Sequence, residues 1–201
     1  MSQIALPLDW PADESDDEFI VSEANAAVVR HLDHWSLWPV PATILTGPRK
    51  SGRSLIGRIF ARKTGGRLFD DAWAAEEEAL FHAWNMAMTT HRPLLIVADA
   101  PPPAWAVRLP DLASRLAASP RVAILPPDDI LMRALIERGL ARRGLAAPPG
   151  LAEWIARRIE RSYVGVQGAI DALDRASLSA RRRLTIPMAR EALTEAGVID
   201  A

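Results

Sequence analysis

Thirteen residues constrain this chain more than any others: Thr43-Ile-Leu-Thr-Gly-Pro-Arg-Lys-Ser-Gly-Arg-Ser-Leu55. A short apolar run ends at Gly47, a turn follows, and a helical pattern begins after Gly52-Arg53-Ser54. The spacing is that of a phosphate-binding loop, G-x-x-x-x-G-K-[ST], with Arg53 where Lys is expected. Gly47 and Gly52 let the backbone turn tightly and bring N–H groups close to a phosphate. The helix that follows begins with unpaired N–H groups and a partial positive charge, which suits an anion. Arg53 supplies a cation and Ser54 a hydroxyl able to ligate Mg²⁺. Arginine is bulkier than lysine and presents a planar fork, so the two are not equivalent. A plain glycine-containing strand-to-helix turn fits the same letters.

The rest of the chain reads as an alternation around that loop. A helix is predicted over 23–35 with Ser22 as its N-cap and Ala27, Val28, Leu32 and Trp35 on one face. Strand 43–46, helix 53–64 and the stop at Gly65-Gly66 come next. Arg67-Leu-Phe-Asp-Asp71 is a very short strand ending in two carboxylates. Acidic residues at that place manage Mg²⁺ and an attacking water in phosphate chemistry, although a helix N-cap is the commoner explanation of such an Asp pair. A helix over 76–90 carries Leu80, Phe81, Trp84, Ala87 and Met88 on one side. Leu94-Leu-Ile-Val-Ala98 is a buried strand with Asp99 at its end. A short helix starts at Pro110, and 121–125 is a last strand. Strand, helix and strand alternate, so a parallel α/β sheet is predicted. After Pro126-Pro127 the pattern is helical throughout, over 128–143, 149–162, 165–180 and 187–196. The expected organisation is a tail over 1–18, a P-loop α/β domain over 19–125 and a helical lid over 126–201.

Composition narrows the function classes. The chain has 201 residues, 49% of them hydrophobic, and a net charge of −1. Near-neutrality gives no bulk electrostatic grip on nucleic acid or anionic membrane. There is no Cys, so no disulfide framework, thiol catalysis or Cys-based zinc site. His31, His34, His82 and His91 show no ligand spacing; His31 and His34 share a helical face, as surface pairs commonly do. Lys occurs only at 50 and 63, which fits genome composition. No signal peptide and no apolar run of about 20 residues are visible, so a cytoplasmic location is expected. At the N-terminus, Gln3-Ile-Ala-Leu-Pro-Leu8 is apolar and extended around Pro7. An acidic linker follows. The hexapeptide reads as a docking motif, or as a segment that packs on its own domain.

With these pieces placed, the chain resembles the AAA+ ATPases, and within them the DnaA-related regulators called Hda or HdaA. The most specific segments are Leu109-Pro-Asp-Leu-Ala-Ser-Arg-Leu116, Leu173-Asp-Arg-Ala-Ser177 and Arg183-Leu-Thr-Ile-Pro187. Gln3-Ile-Ala-Leu-Pro-Leu8 is similar to the motif by which such regulators bind the DNA polymerase sliding clamp. Gly-Arg-Ser also occurs in Hda phosphate loops, and 94–102 resembles the family's first sensor strand. The resemblance implies an AAA+ P-loop fold with a lid, bound ADP or ATP with Mg²⁺, and the sliding clamp and DnaA as partners, with a homo-oligomer also open. It implies that the protein stimulates ATP hydrolysis by DnaA and so prevents re-initiation of replication. In that picture Gly47, Gly52, Arg53, Ser54 and Asp99 hold nucleotide, Ser54 and Asp70 hold the metal, and Asp70 and Asp71 form the shortened Walker B. Arg115 is the arginine finger offered to a neighbour's ATP, although without the resemblance it reads as a surface helix arginine.

Three departures accompany the resemblance. Room exists for only one strand between the loop helix and Asp70, so the sheet is expected to have about four strands. The lid's second-sensor Arg is missing from 163–169, with Arg161 nearest, and the loop lysine is replaced. These bear on the chain's own hydrolysis more than on nucleotide binding. No DNA-binding domain is expected after the lid. An autonomous P-loop ATPase, a degenerate AAA+ scaffold and a DNA-binding DnaA variant are the other readings, and the near-neutral charge speaks against the last.

Burying a leucine side chain contributes about 1.5–3 kcal/mol. Replacing Leu6 and Leu8 together by alanine is therefore expected to weaken clamp binding by well over about tenfold. Surface plasmon resonance on immobilised clamp checks this, and an unchanged Kd contradicts it.

Overall fold

The computed structural model describes residues 19–180 and 184–200. Among them, four parallel strands form one sheet in the order β2-β3-β1-β4. They are β1 (Ala42–Thr46), β2 (Arg67–Phe69), β3 (Leu94–Val97) and β4 (Arg121–Ala123). Helix α1 (Ala26–Asp33) precedes β1, and α2 (Arg53–Thr64), α3 (Glu77–Thr90) and α4 (Pro110–Ala118) make the crossovers. The reduced four-strand sheet read from the sequence is the sheet observed.

Strand periodicity decides which helix lies on which face. Ala42 and Ile44 of β1, with Leu94 and Ile96 of β3, pack against Leu80 and Trp84 of α3 and Leu112 and Leu116 of α4. The alternate residues Leu45, Leu95 and Val97 pack against Val28 and Leu32 of α1 and Ile56 and Phe60 of α2. A sheet with helices on both faces reads as continuous apolar runs, as β1 and β3 do.

Helices α5 (Asp129–Arg142), α6 (Leu151–Ala156), α7 (Tyr163–Ala180) and α8 (Ile186–Glu195) follow the sheet. Asp128 caps α5 by accepting from the Leu131 N–H, and Thr185 caps α8 by accepting from the Met188 N–H. Met132, Ile136, Ile155, Ile170, Leu173 and Leu193 anchor the apolar cluster of these helices. Leu131 and Tyr163, with the partly buried Leu135, cross to the sheet and join the cluster under α1 and α2. The Tyr163 hydroxyl donates to the Leu125 carbonyl at 3.0 Å, and the Leu125 N–H donates to the Ala24 carbonyl at 2.9 Å. Burial first, then the Asp128 charge, pushes the Tyr163 phenol up to about 12, which keeps it a donor.

Three expectations shift. Helix α1 begins at Ala26, because Ser22 closes a turn ahead of it: its carbonyl accepts from Ala26 and its N–H donates to Asn25 Oδ1. Ala27 is exposed, and Val29 takes the buried position. Helix α6 stops at Ala156, and a turn around Ser162 leads into α7.

His31 is not a surface residue. Its Nε2 lies 2.7 Å from Thr43 Oγ1, its ring stacks on Trp38 at 4.9 Å, and Trp38 stacks on Phe60. Thr43 gives its one hydroxyl proton to the Pro120 carbonyl, so His31 Nε2–H is the donor in this pair. Burial lowers the imidazole pKa below its usual 6.5. The unfolded chain then binds more protons than the folded one as pH falls through 6.5, so this histidine lowers stability on acidification. The thermal midpoint is expected to fall from pH 7.5 to pH 5.5 by a smaller amount in His31→Gln than in the unaltered protein. Equal pH dependence in calorimetry contradicts the assignment.

Candidate nucleotide site

All four strands run parallel, so the segments leaving β1, β2 and β3 emerge along one edge of the sheet. That edge is where open α/β sheets bind ligands. The segments are the loop Gly47–Ser54, the pair Asp70-Asp71, and Ala98-Asp99.

The loop passes hard against the end of β4. A Cβ on Gly47, whose φ is +153°, would stand 2.9 Å from Ile124 Cβ and 3.0 Å from its carbonyl oxygen. Gly52 adopts φ +88° at the head of α2, and no side chain caps the helix there. Lys50 also has positive φ, at +65°, a conformation that concentrates at functional sites. Ser51 is 7% exposed, and its hydroxyl oxygen has no hydrogen-bond partner among the described residues. An uncapped helix start beside an orphaned buried hydroxyl is a set of donors awaiting an anion. Ser54 lies half-buried in the first turn of α2.

Arg53 turns to the neighbouring strand. One guanidinium nitrogen donates to the Ala98 carbonyl at 2.5 Å and another to Asp99 Oδ1 at 2.6 Å. The Arg53 side chain is 12% exposed and that of Asp99 54%. Sequence reasoning placed both residues in the site, and the structure pairs them with each other. Asp70 accepts the Asp71 N–H at 3.1 Å, and Asp71, at φ +49°, starts a 3₁₀ turn over Ala72–Ala74. Asp71 stands at the N-cap position of that turn, but its side chain makes no capping hydrogen bond. Among the described residues no three His, Asp or Glu side chains cluster as metal ligands.

Arg115 lies apart from these groups, near the end of α4. Its guanidinium sits 4.3 Å from the Phe81 ring centre and 4.8 Å from that of Trp84, and it donates to Asn85 Oδ1. The three contacts come from one stretch of α3. The loop ahead of α4 is held by Glu77, whose carboxylate accepts the N–H groups of Arg108 and Leu109. Those two bonds lower the Glu77 pKa. Sequence reasoning used Phe81 and Trp84 only as an apolar face; their i, i+3 spacing was the available signal for a paired surface. Gln3, Leu6, Pro7 and Leu8 lie outside the described residues.

Residues 128–193 match the family model described as Hda, lid domain. Those residues hold α5 to α7 and nearly all of α8, directly after the sheet with its phosphate-type loop. The helical segment after the sheet is an Hda-type lid. Its fold is similar to domain III of the Thermotoga maritima replication initiation protein DnaA, at 15% identity and TM-score 0.72 over 92% of this chain and 96% of that domain. It is similar to AMPPCP-bound DnaA from Aquifex aeolicus at 16% identity and TM-score 0.59, covering 78% of this chain and 63% of that one. It also resembles the Thermotoga maritima RuvB Holliday junction branch migration motor, at 15% identity and TM-score 0.63 over 89% of this chain and 70% of that one.

The contact of Gly47 with Ile124 generates a test. A methyl group there meets backbone as well as side chain, at an unfavourable φ. Gly47→Ala is expected to lose about 1–3 kcal/mol of stability, read as a lower thermal midpoint by circular dichroism. An unchanged midpoint contradicts the close approach.

Proposed function

We propose that this protein is a regulator that docks on the sliding clamp and stimulates ATP hydrolysis by DnaA, so that replication does not re-initiate. The observation that carries this reading is the Hda-type lid on a DnaA-like fold. The geometry supports it in two places.

The first is the loop. Its orphaned Ser51 hydroxyl, its uncapped helix start and Gly52 suit a nucleotide's phosphates. ADP or ATP would be held by Gly47, Gly52, Ser54 and the loop amides, with Asp99 and Arg53 at the strand end. Mg²⁺ would sit with Ser54 and Asp70, and since no cluster of three ligands occurs among the described residues, the phosphates would complete its shell. When bound it would neutralise phosphate charge. Arg53 is already engaged by Asp99 and Ala98, so it does not stand over the loop as a mobile point charge does. Asp71 points the backbone into a turn, which leaves Asp70 as the carboxylate nearest the role. Such a site retains nucleotide and turns it over slowly, with ADP bound at least as well as ATP.

The second is Arg115. It is half-buried on α4, and its guanidinium is held by groups of its own chain. An arginine over two aromatic rings keeps its charge while losing part of its hydration. Acting on DnaA-bound ATP requires it to leave Phe81, Trp84 and Asn85, which ties activity to docking. The clamp, engaged through Gln3, Leu6, Pro7 and Leu8, would supply the local concentration for that encounter. The protein would then work in the cytoplasm; no helix among the described residues is long and apolar enough to cross a membrane.

Three ATP turnover measurements test this: the protein alone, DnaA alone, and the mixture with clamp loaded on DNA. A low rate alone and a large rise in the mixture are expected. Full turnover by the isolated protein would instead favour an autonomous ATPase. Arginine fingers are worth about 10³–10⁵ in rate. Arg115→Ala is expected to fold, bind clamp and return the mixture to the basal DnaA rate. Arg115→Lys is expected to fail too, because a point charge does not replace the fork. Stimulation retained by the alanine variant at equal clamp occupancy moves the search to Arg108 or Arg121.

A further inference from the structure

A cleft of about 410 Å³ opens between the head of α3, the turn before it and the loop ahead of α4. Trp73 comes from the turn, Glu76, Glu77 and Glu78 from the helix head, and Trp105 and Arg108 from the loop. Glu77 is spent on the fold: its carboxylate accepts the Arg108 and Leu109 N–H groups, and the Arg108 charge acts on it. Glu76 is the N-cap residue of α3, yet its side chain caps nothing. No hydrogen bond or ion pair engages the Glu76 or Glu78 carboxylate among the described residues, and both are exposed.

Acidic residues at a helix head complement its partial charge. That does not account for the two indoles beside them. Trp73 is 54% exposed at the mouth of the cleft. Trp105 is only 9% exposed, and a buried indole N–H ordinarily finds an acceptor. This one has none among the described residues, and it is not sealed from solvent either. Trp105 lines the cleft, so the cleft is where an acceptor can reach it.

The walls therefore ask for three things together: a positive charge for two carboxylates, a flat cation for the face of an indole, and a carbonyl for an indole N–H. An arginine residue of a protein chain carries all three. Lysine lacks the planar fork, and the phosphates of a nucleic acid would meet the two carboxylates with like charge.

The place matters as well. The cleft ends at Leu109, and Arg115 lies six residues further along, on α4. Five residues of helix, from Pro110 to Arg115, span about 7.5 Å. On the other side, the helix whose head supplies Glu76 and Glu78 goes on to Phe81, Trp84 and Asn85, which hold Arg115. A protein that takes up Arg115 is thus within reach of the cleft.

We propose that this cleft is a docking subsite for an arginine side chain of a protein partner, with the guanidinium on Trp73 and held by Glu76 and Glu78, and a backbone carbonyl accepting from Trp105. On the reading above the partner is DnaA; the partner's identity rests on that reading, and the site does not.

The site is tested by titrating Nα-acetyl-arginine methylamide into the ¹⁵N-labelled full-length protein and following the assigned indole N–H signals. Those of Trp73 and Trp105 are expected to shift at millimolar concentration, and the uncharged citrulline analogue is expected to move neither. Glu76→Gln with Glu78→Gln leaves Glu77 and its loop bonds in place. It is expected to weaken the arginine amide by about threefold to thirtyfold, as loss of two exposed ion pairs does; circular dichroism melts confirm folding. In the turnover mixture with DnaA and loaded clamp, the same variant is expected to raise the half-maximal concentration by a similar factor and keep the maximal rate, because Arg115 is untouched. Absent shifts with the arginine amide, or equal shifts with citrulline, overturn the site. An unchanged half-maximal concentration in a variant that has lost the arginine amide overturns its use by DnaA. If the unaltered protein does not stimulate DnaA at all, the proposed function falls, and the arginine titration alone decides the site.

Discussion

Leu125 stands where three parts of the chain meet. Its N–H is taken by Ala24 ahead of α1, and its carbonyl by the Tyr163 hydroxyl at the start of α7. Around these two bonds the apolar cluster runs without interruption from Val28 and Phe60 to Leu131 and Tyr163. An apolar contact alone would let the helical layer slide, because the hydrophobic effect is non-directional. The two directional bonds fix an orientation, and burial keeps the phenol a donor across the physiological range. The position of α5 over the loop therefore depends on a tyrosine far from it in sequence.

The placement of positive charge is the second organising choice. A guanidinium forms two directed bonds at once. In Arg53 those go to the end of β3, so the arginine braces two neighbouring segments of the sheet edge. A lysine there would remain a solvated point charge. Arg115 shows the same preference: its guanidinium sits over Phe81 and Trp84 and donates to Asn85. These two arginines thus act as structural members of the fold. Seen this way, the departure at position 53 is compatible with the Hda-type lid that follows.

Much of this was legible in the sequence for a physical reason. The apolar runs of β1 and β3, the glycines of the loop and the helix of 53–64 are local signals, set by periodicity and backbone preference. The four-strand parallel sheet follows from their alternation. The start of α1 was misplaced because Ser22 and Asn25 both suit a cap, and the choice depends on which side chain the turn uses. The His31–Thr43–Pro120 chain was invisible because its partners are 12 and 77 positions apart. Arg53 and Asp99 were each singled out, but their pairing across 46 positions was not. Local pattern finds the residues of a site; which of them hold one another is a tertiary fact.

The shortened sheet has a consequence for how the molecule avoids its own kind. Its outer strands β2 and β4 are three residues each, and both open with an exposed arginine, Arg67 and Arg121. Arg67 also lays its guanidinium 5.9 Å from the Phe69 ring centre. An open sheet rim is a template on which another chain can add a strand. Three residues give too few backbone bonds to hold such an intruder, and a charge at the mouth disfavours a second identical rim. The short outer strands give the described sheet blunt, like-charged margins, a form of protection against fibrillar stacking that larger sheets must obtain with bulges or covering loops.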